Sequence, residues 1–97
     1  MIKGVSDSQL KIIKNILHPY SGEFEFFLYG SRVDGDFQTN SDLDVLIKGN
    51  QKLSFEDMEN IKKQFDSSSL PFIVHIADFH DIDKSFYEIL KNNMIKI

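Results

Sequence analysis

The chain has no cysteine, which excludes both a disulfide framework and a thiolate metal site. It also has no apolar run approaching the length needed to span a bilayer. The first residues, Met1-Ile2-Lys3-Gly4-Val5, lack the apolar stretch of a secretory signal, so a cytoplasmic location without membrane association is expected. Only two prolines occur, Pro19 and Pro71, and both fall between periodic segments, where they punctuate without breaking them. Positive charge is scarce: 11 Lys and Arg stand against 15 Asp and Glu, for a net charge of −4. That balance argues against a broad basic surface that grips nucleic acid by displacing counterions, and no direct nucleic-acid binding is expected. A small polyanion screened by metal ions is still compatible with it.

What is present is an interior. Hydrophobic residues make up 41% of the 97, with nine Phe and three Tyr, which predicts a single domain over residues 1–97 with one modest packed core. Ser6 to Gln9 reads as a capping box, and Leu10, Ile13, Ile16 and Leu17 recur at helical spacing until His18-Pro19 ends the helix. Phe24 to Tyr29 is a short aromatic run, too brief for a helix and rich in strand formers, so a strand is expected to run into Gly30. Ser31 to Ser41 is polar and small, which suits one helical turn and a loop.

Asp42 to Lys48 predicts a second strand, with Asp42, Asp44 and Leu46 on one face and Leu43, Val45 and Ile47 on the other. Ser54 with Asp57 can cap a helix whose apolar stripe is Phe55, Met58, Ile61 and Phe65, leaving Lys62 and Lys63 to solvent. Phe72 to Ala77 reads as a third strand by its β-branched content. Asp81 or Asp83 is placed to cap a last helix with Phe86, Ile89 and Leu90 inward, and Met94 to Ile97 is a candidate closing strand. The alternating order implies an α/β fold, helices packed on a small sheet, with no internal repeat.

The most informative motif is Gly30-Ser31, ten further residues, then Asp42-Leu43-Asp44. Strand residues two apart point the same way with Cα atoms about 6.5 to 7 Å apart, so Asp42 and Asp44 can converge on a shared cation. Oxygen ligands of this kind suit Mg²⁺ or Mn²⁺, which keep waters and take further ligands from phosphates. Gly30 permits close backbone approach, and Ser31 offers an N–H and a hydroxyl to a phosphate. Arg32 is placed either to add a charge-assisted phosphate contact or to pair with Asp34 or Asp36.

Other motifs fit worse. Gly30 to Gly35 lacks both the Gly-Lys-Ser/Thr ending of a P-loop and the three-glycine dinucleotide pattern. Asp34, Asp36 and Asn40 lack the Gly and bidentate Glu of a calcium loop, with Thr39 and Val45 in those places. The strand pleat separates His75 from Asp78, which disfavours a metal site made of His75, Asp78 and His80.

Taken together, Tyr29-Gly30-Ser31-Arg32-Val33-Asp34-Gly35 and Ser41-Asp42-Leu43-Asp44-Val45-Leu46-Ile47 resemble the minimal nucleotidyltransferases of the DNA polymerase β-like superfamily. The likeness extends from about Ser6 to the C-terminus and includes Leu70-Pro71 before the third strand. It implies a polymerase β palm-like fold, a small mixed sheet packed with helices. It further implies metal-dependent transfer of AMP from ATP, with Mg²⁺ or Mn²⁺ on Asp42 and Asp44 and the nucleotide on Gly30, Ser31 and Arg32. Family members of this size usually act beside a helical partner of the HEPN type, often as an antitoxin that adds AMP to it. A homo-oligomer is also compatible with the sequence. The third strand of the family usually carries Val-Asp, whereas this chain reads Val74-His75. Three outcomes follow: His75 serves as general base or metal ligand, Asp78 substitutes by way of a bulge or an early strand end, or activity is lost and only partner binding is kept.

Overall fold

The computed structural model describes residues 2–97. Helix α1 (Asp7–Leu17) starts where the sequence places it, because Ser6 and Gln9 satisfy each other: Gln9 N–H donates to Ser6 Oγ and Ser6 N–H to Gln9 Oε1. A 3₁₀ turn (His18–Tyr20) absorbs Pro19, and strand β1 (Phe24–Tyr29) follows. A single helical turn, α2 (Ser31–Asp34), leads into a loop and then strand β2 (Leu43–Gly49). Helix α3 (Phe55–Asp66), capped by Ser54, crosses to strand β3 (Val74–Asp78). A second 3₁₀ turn (Phe79–Asp81), helix α4 (Lys84–Leu90) and the two-residue strand β4 (Ile95–Lys96) complete the chain.

The strands lie in the order β3-β2-β1-β4. β1 is antiparallel to both β2 and β4, whereas β2 and β3 are parallel, so the sheet is mixed. Parallel pairing needs a crossover longer than a hairpin, and α3 supplies it. Residues paired across strands face the same side, which gives the sheet two chemically distinct surfaces. Phe26 and Leu28 of β1 and Leu43, Val45 and Ile47 of β2 are buried with Ile13, Leu17, Ile61 and Phe65 of α1 and α3, forming the core. On the reverse surface Tyr29 pairs with Asp44, and Asp44 with His75. Leu46 is also fully buried on that side.

The structure corrects several sequence expectations. β2 begins at Leu43, so Asp42 immediately precedes the strand, and β3 runs from Val74 to Asp78 instead of starting at Phe72. Phe55 is 82% exposed at the first turn of α3 and takes no part in its apolar stripe. The larger correction is α4, which buries none of its residues: Ile89 is 67% and Phe86 41% exposed. This short helix lies over the reverse surface, where Phe86 meets Tyr29 edge-on and Tyr87 meets Phe79 in the same way. An apolar stripe on a helix was legible; what would cover it was not.

Candidate functional site

Gly30 makes the junction between β1 and α2. Its φ of +94° lies in the region that glycine adopts without steric cost. A Cβ built there would also collide with Asp44 Oδ2, so any side chain would push the carboxylate away from the turn. The Gly30 carbonyl accepts from the N–H of Val33 and Asp34, closing the single turn of α2. By position, the N–H groups of Ser31 and Arg32 open this turn without an intrahelical acceptor. The cradle and the second carboxylate of the motif are thus in contact, though 13 positions separate Ser31 from Asp44 in the sequence.

Asp42 and His75 meet on the same surface. His75 Nε2 lies 2.7 Å from Asp42 Oδ2, with side-chain exposures of 61% and 40%. Against an ionised carboxylate the ring nitrogen is the donor. Burial pushes the Asp44 carboxyl up from its ordinary value; the neighbouring His75 opposes this and Asp42 adds to it. Burial also raises Tyr29, and the Asp44 charge contributes. Asp42, Asp44, His75 and Tyr29 therefore occupy one patch, in which Asp42 and His75 act on Asp44, and Asp44 acts on Tyr29.

Two carboxylates and an imidazole, donor types that divalent cations take, stand on an accessible face beside a glycine turn. Among the described residues no three such groups already converge on one point, since Asp44 stands against Gly30 while Asp42 pairs with His75. Hollows of about 520 and 360 Å³ lie elsewhere, the first lined by residues such as Phe24, Asn50, Lys52 and Ser54, the second by Ile2, Gln9 and Phe37.

Asp78 and Arg32 turn out differently from expectation. Asp78 is buried on the core side, where its carboxylate accepts from Leu53 N–H at 2.7 Å and His80 N–H at 2.9 Å. No bulge swings it toward Asp44; it closes the turn after β3 and anchors the segment before α3. Arg32, 5% exposed, neither faces the cradle nor pairs with Asp34 or Asp36. Its Nε donates to Ser41 O at 2.6 Å, Nη1 to Gly4 O at 2.8 Å and Nη2 to Thr39 O at 2.8 Å. The guanidinium also lies over the rings of Phe72 and Phe37.

The physical reason is coordination: three carbonyls from two segments, Gly4 near the N-terminus and Thr39 and Ser41 in the loop before β2, accept from all three guanidinium nitrogens and hold the group inside. Gly4 completes the arrangement, since its N–H donates back to Arg32 O and a Cβ there would strike the Arg32 backbone. Arg32 thus braces the loop between the cradle and Asp42, a function that sequence reasoning missed because backbone carbonyls carry no sequence signal.

Comparison with known proteins gives the family and the fold. The family described as "Polymerase beta, Nucleotidyltransferase" matches residues 11–96, and the chain belongs to it. A "Probable protein adenylyltransferase MntA" of Haemophilus influenzae is 30% identical over 93 residues, covering 96% of this chain and 82% of that protein. Among solved structures, a toxin-antitoxin crystallised with AMP-PNP superposes with a TM-score of 0.73 at 17% identity, over 89% of this chain and 69% of that one. A Sulfolobus solfataricus protein assigned to the nucleotidyltransferases gives 0.51 at 21% identity, over 90% and 77%. At those identities the two structures speak for the fold, which is that of the nucleotidyltransferases. Among the described residues, no helix is long and apolar enough to cross a membrane.

Proposed function

We propose that this single 97-residue domain transfers AMP from ATP to a hydroxyl of a partner protein, as the antitoxin-type member of a two-component pair. The observation that carries the reading is the packing of the Asp44 carboxylate against the Gly30 turn, which supports taking the turn as a phosphate cradle and the carboxylate as a cation ligand. The protein adenylyltransferase name of the 30% identical relative, and the toxin-antitoxin setting and AMP-PNP of the structural neighbour, support the acceptor and the nucleotide.

In this reading Ser31 N–H and Oγ bind phosphate oxygens at the turn. Asp42 and Asp44, with His75 beside them, would hold Mg²⁺ or Mn²⁺, which when bound neutralises phosphate charge and polarises the α-phosphate. The partner hydroxyl attacks the α-phosphorus and pyrophosphate departs, while the Asp42 carboxylate takes the hydroxyl proton. The exposure of His75 and Asp42 leaves this face accessible to a macromolecular acceptor. A helical HEPN-type protein is the expected partner, and the cytoplasm the expected setting.

The test is transfer of label from α-labelled ATP to such a partner, with Mg²⁺ and with Mn²⁺. Label is expected on the partner, and Asp44→Ala should lower the rate by about 10²–10³, the scale of removing one charge-stabilising group. No label with either ion would overturn the catalytic reading. His75, standing where the family usually has a third carboxylate, favours one alternative: a silent antitoxin that neutralises its partner by binding. Inhibition of the partner that survives Asp42→Ala, with no label transferred, would establish it.

A further inference from the structure

We propose that the outer edge of β3 docks a second copy of this chain, the two β3 strands pairing antiparallel about a twofold axis at Ile76 and joining two four-stranded sheets into one of eight. The pairing uses main-chain groups and does not depend on the nucleotide chemistry proposed above.

The two edges of the sheet are finished differently. In the order β3-β2-β1-β4, β3 and β4 are the outermost strands. β4 is blunted: it has two residues, and one of them, Lys96, is ion-paired with Glu25 of β1. β3 is five residues long, follows β2 in unbroken register, and contains no lysine, proline or bulge that would turn another strand away. Leu43 N–H donates to Ile73 O and Leu43 is partnered with Val74, which together fix the direction of every main-chain group on β3. Ile73, His75 and Ala77 direct theirs to β2, whereas Val74 and Ile76 direct theirs away from the sheet. Among the described residues, no backbone group pairs with that outer row. Val74 and Ile76 are also only half-buried, although both pack against the core.

A row of free N–H and C=O groups takes an extended strand, and β3 is itself complementary to the row. With Ile76 facing Ile76 of the second copy, His75 meets Ala77 and Val74 meets Asp78, so no like charges stand opposite one another. An axis at His75 would instead set the two imidazoles face to face. Asp78 brings no free charge, since the N–H groups of Leu53 and His80 already occupy its carboxylate. Ile73, 63% exposed in the single chain, comes opposite Phe79 of the second copy. Five paired residues a side make a small interface, in the class below about 1,200 Å² in total, so the association is reversible and depends on concentration. Because the axis stands perpendicular to the sheet, both copies present Tyr29, Asp44 and His75 on the same side.

The experiment uses the whole purified chain without nucleotide or metal. Sedimentation velocity over a concentration series gives the oligomeric state, and residue-resolved amide hydrogen exchange at the two ends of that series gives the surface. The expected result is a monomer and dimer in equilibrium, with the Val74 and Ile76 amides slowed about tenfold at high concentration and His75 and Ala77, already bonded to β2, slowed less. Ile73→Lys puts a charge on the edge, and Ile76→Pro removes an N–H that faces outward; each should weaken dimerisation by about tenfold or more. A thermal melt verifies folding, and the exposed Ile73→Lys keeps the test decisive if Ile76→Pro does not fold.

A chain that stays monomeric up to about 1 mM would overturn the inference. So would a dimer whose Val74 and Ile76 amides exchange as they do in the monomer, or one that Ile73→Lys leaves intact, because another surface would then hold it. Slowing of those amides only when a different protein is added would give the edge to that protein and remove the second copy as its occupant.

Discussion

The two surfaces of the sheet come from the same strands and differ in nearly every physical respect. On one, Leu28, Val45 and Ile47 are sealed under α1 and α3 with no solvent exposure. On the other, Tyr29, Asp44 and His75 project from the same sheet toward its opposite side, and Phe86 of the short α4 meets Tyr29 there. The first surface supplies the transfer free energy that holds the domain together, at about 25 cal/mol per Å² of apolar area buried. The second concentrates like charges and a half-buried carboxylate, an arrangement that costs stability. The division places the unfavourable chemistry where its strain is underwritten by the opposite face, without weakening the core itself.

Substitutions on the two surfaces should therefore separate widely. Leu28→Ala removes a fully buried side chain from the core and should lower unfolding free energy by about 2–5 kcal/mol in denaturant titrations. Next comes the brace between the surfaces: Arg32→Met deprives the Gly4, Thr39 and Ser41 carbonyls of their donor and should cost about 2–4 kcal/mol. An Arg32→Met protein as stable as the parent would mean that those carbonyls find other partners. Gly30→Ala forces a side chain into φ +94° against Asp44, for about 1–3 kcal/mol of strain. It should also reduce the thermal shift produced by ATP, which Leu28→Ala should leave in place at a temperature where both are folded.

The remaining effects are smaller and sharpen the contrast in sign. Burial holds the Asp44 proton more tightly in the folded chain than in the unfolded one. The stability this confers is full below the unfolded carboxylate range and is lost as pH rises through the folded value. Asp44→Asn should therefore raise the melting temperature at neutral pH in chelator-treated buffer, with the gain fading in acid. A neutral-pH decrease would contradict the view of this surface as a site of stored cost. Smallest of all, Ile89→Ser on α4 should change stability by no more than about 0.5 kcal/mol, because the side chain is 67% exposed.

Much of this was legible before any coordinates. Ser6 and Ser54 announce α1 and α3 because capping is a local hydrogen-bond problem solved within three residues. The two sides of β2 were readable because pleating alternates side chains, and the same parity argument put Asp78 on the face opposite His75. What was not readable depends on distant partners. Phe86 and Ile89 have helical spacing whatever covers them, and Arg32 looks like a phosphate ligand until Gly4 and Thr39 arrive from elsewhere in the chain. At the site, the sequence showed that His75 departs from its family; only the fold shows its ring turned to Asp42.

The strict alternation along β2 has a consequence for errors of assembly. A slip of one residue against β1 would bring Val45 outward and drive Asp44 among Ile13, Ile61 and Phe65, where an ionised group has no partner. Misaligned copies would therefore fail to compact instead of persisting as well-formed but inert molecules. Chemical competence and successful folding are checked by the same strand, so a cell that clears unfolded chains would by that act also clear the defective ones.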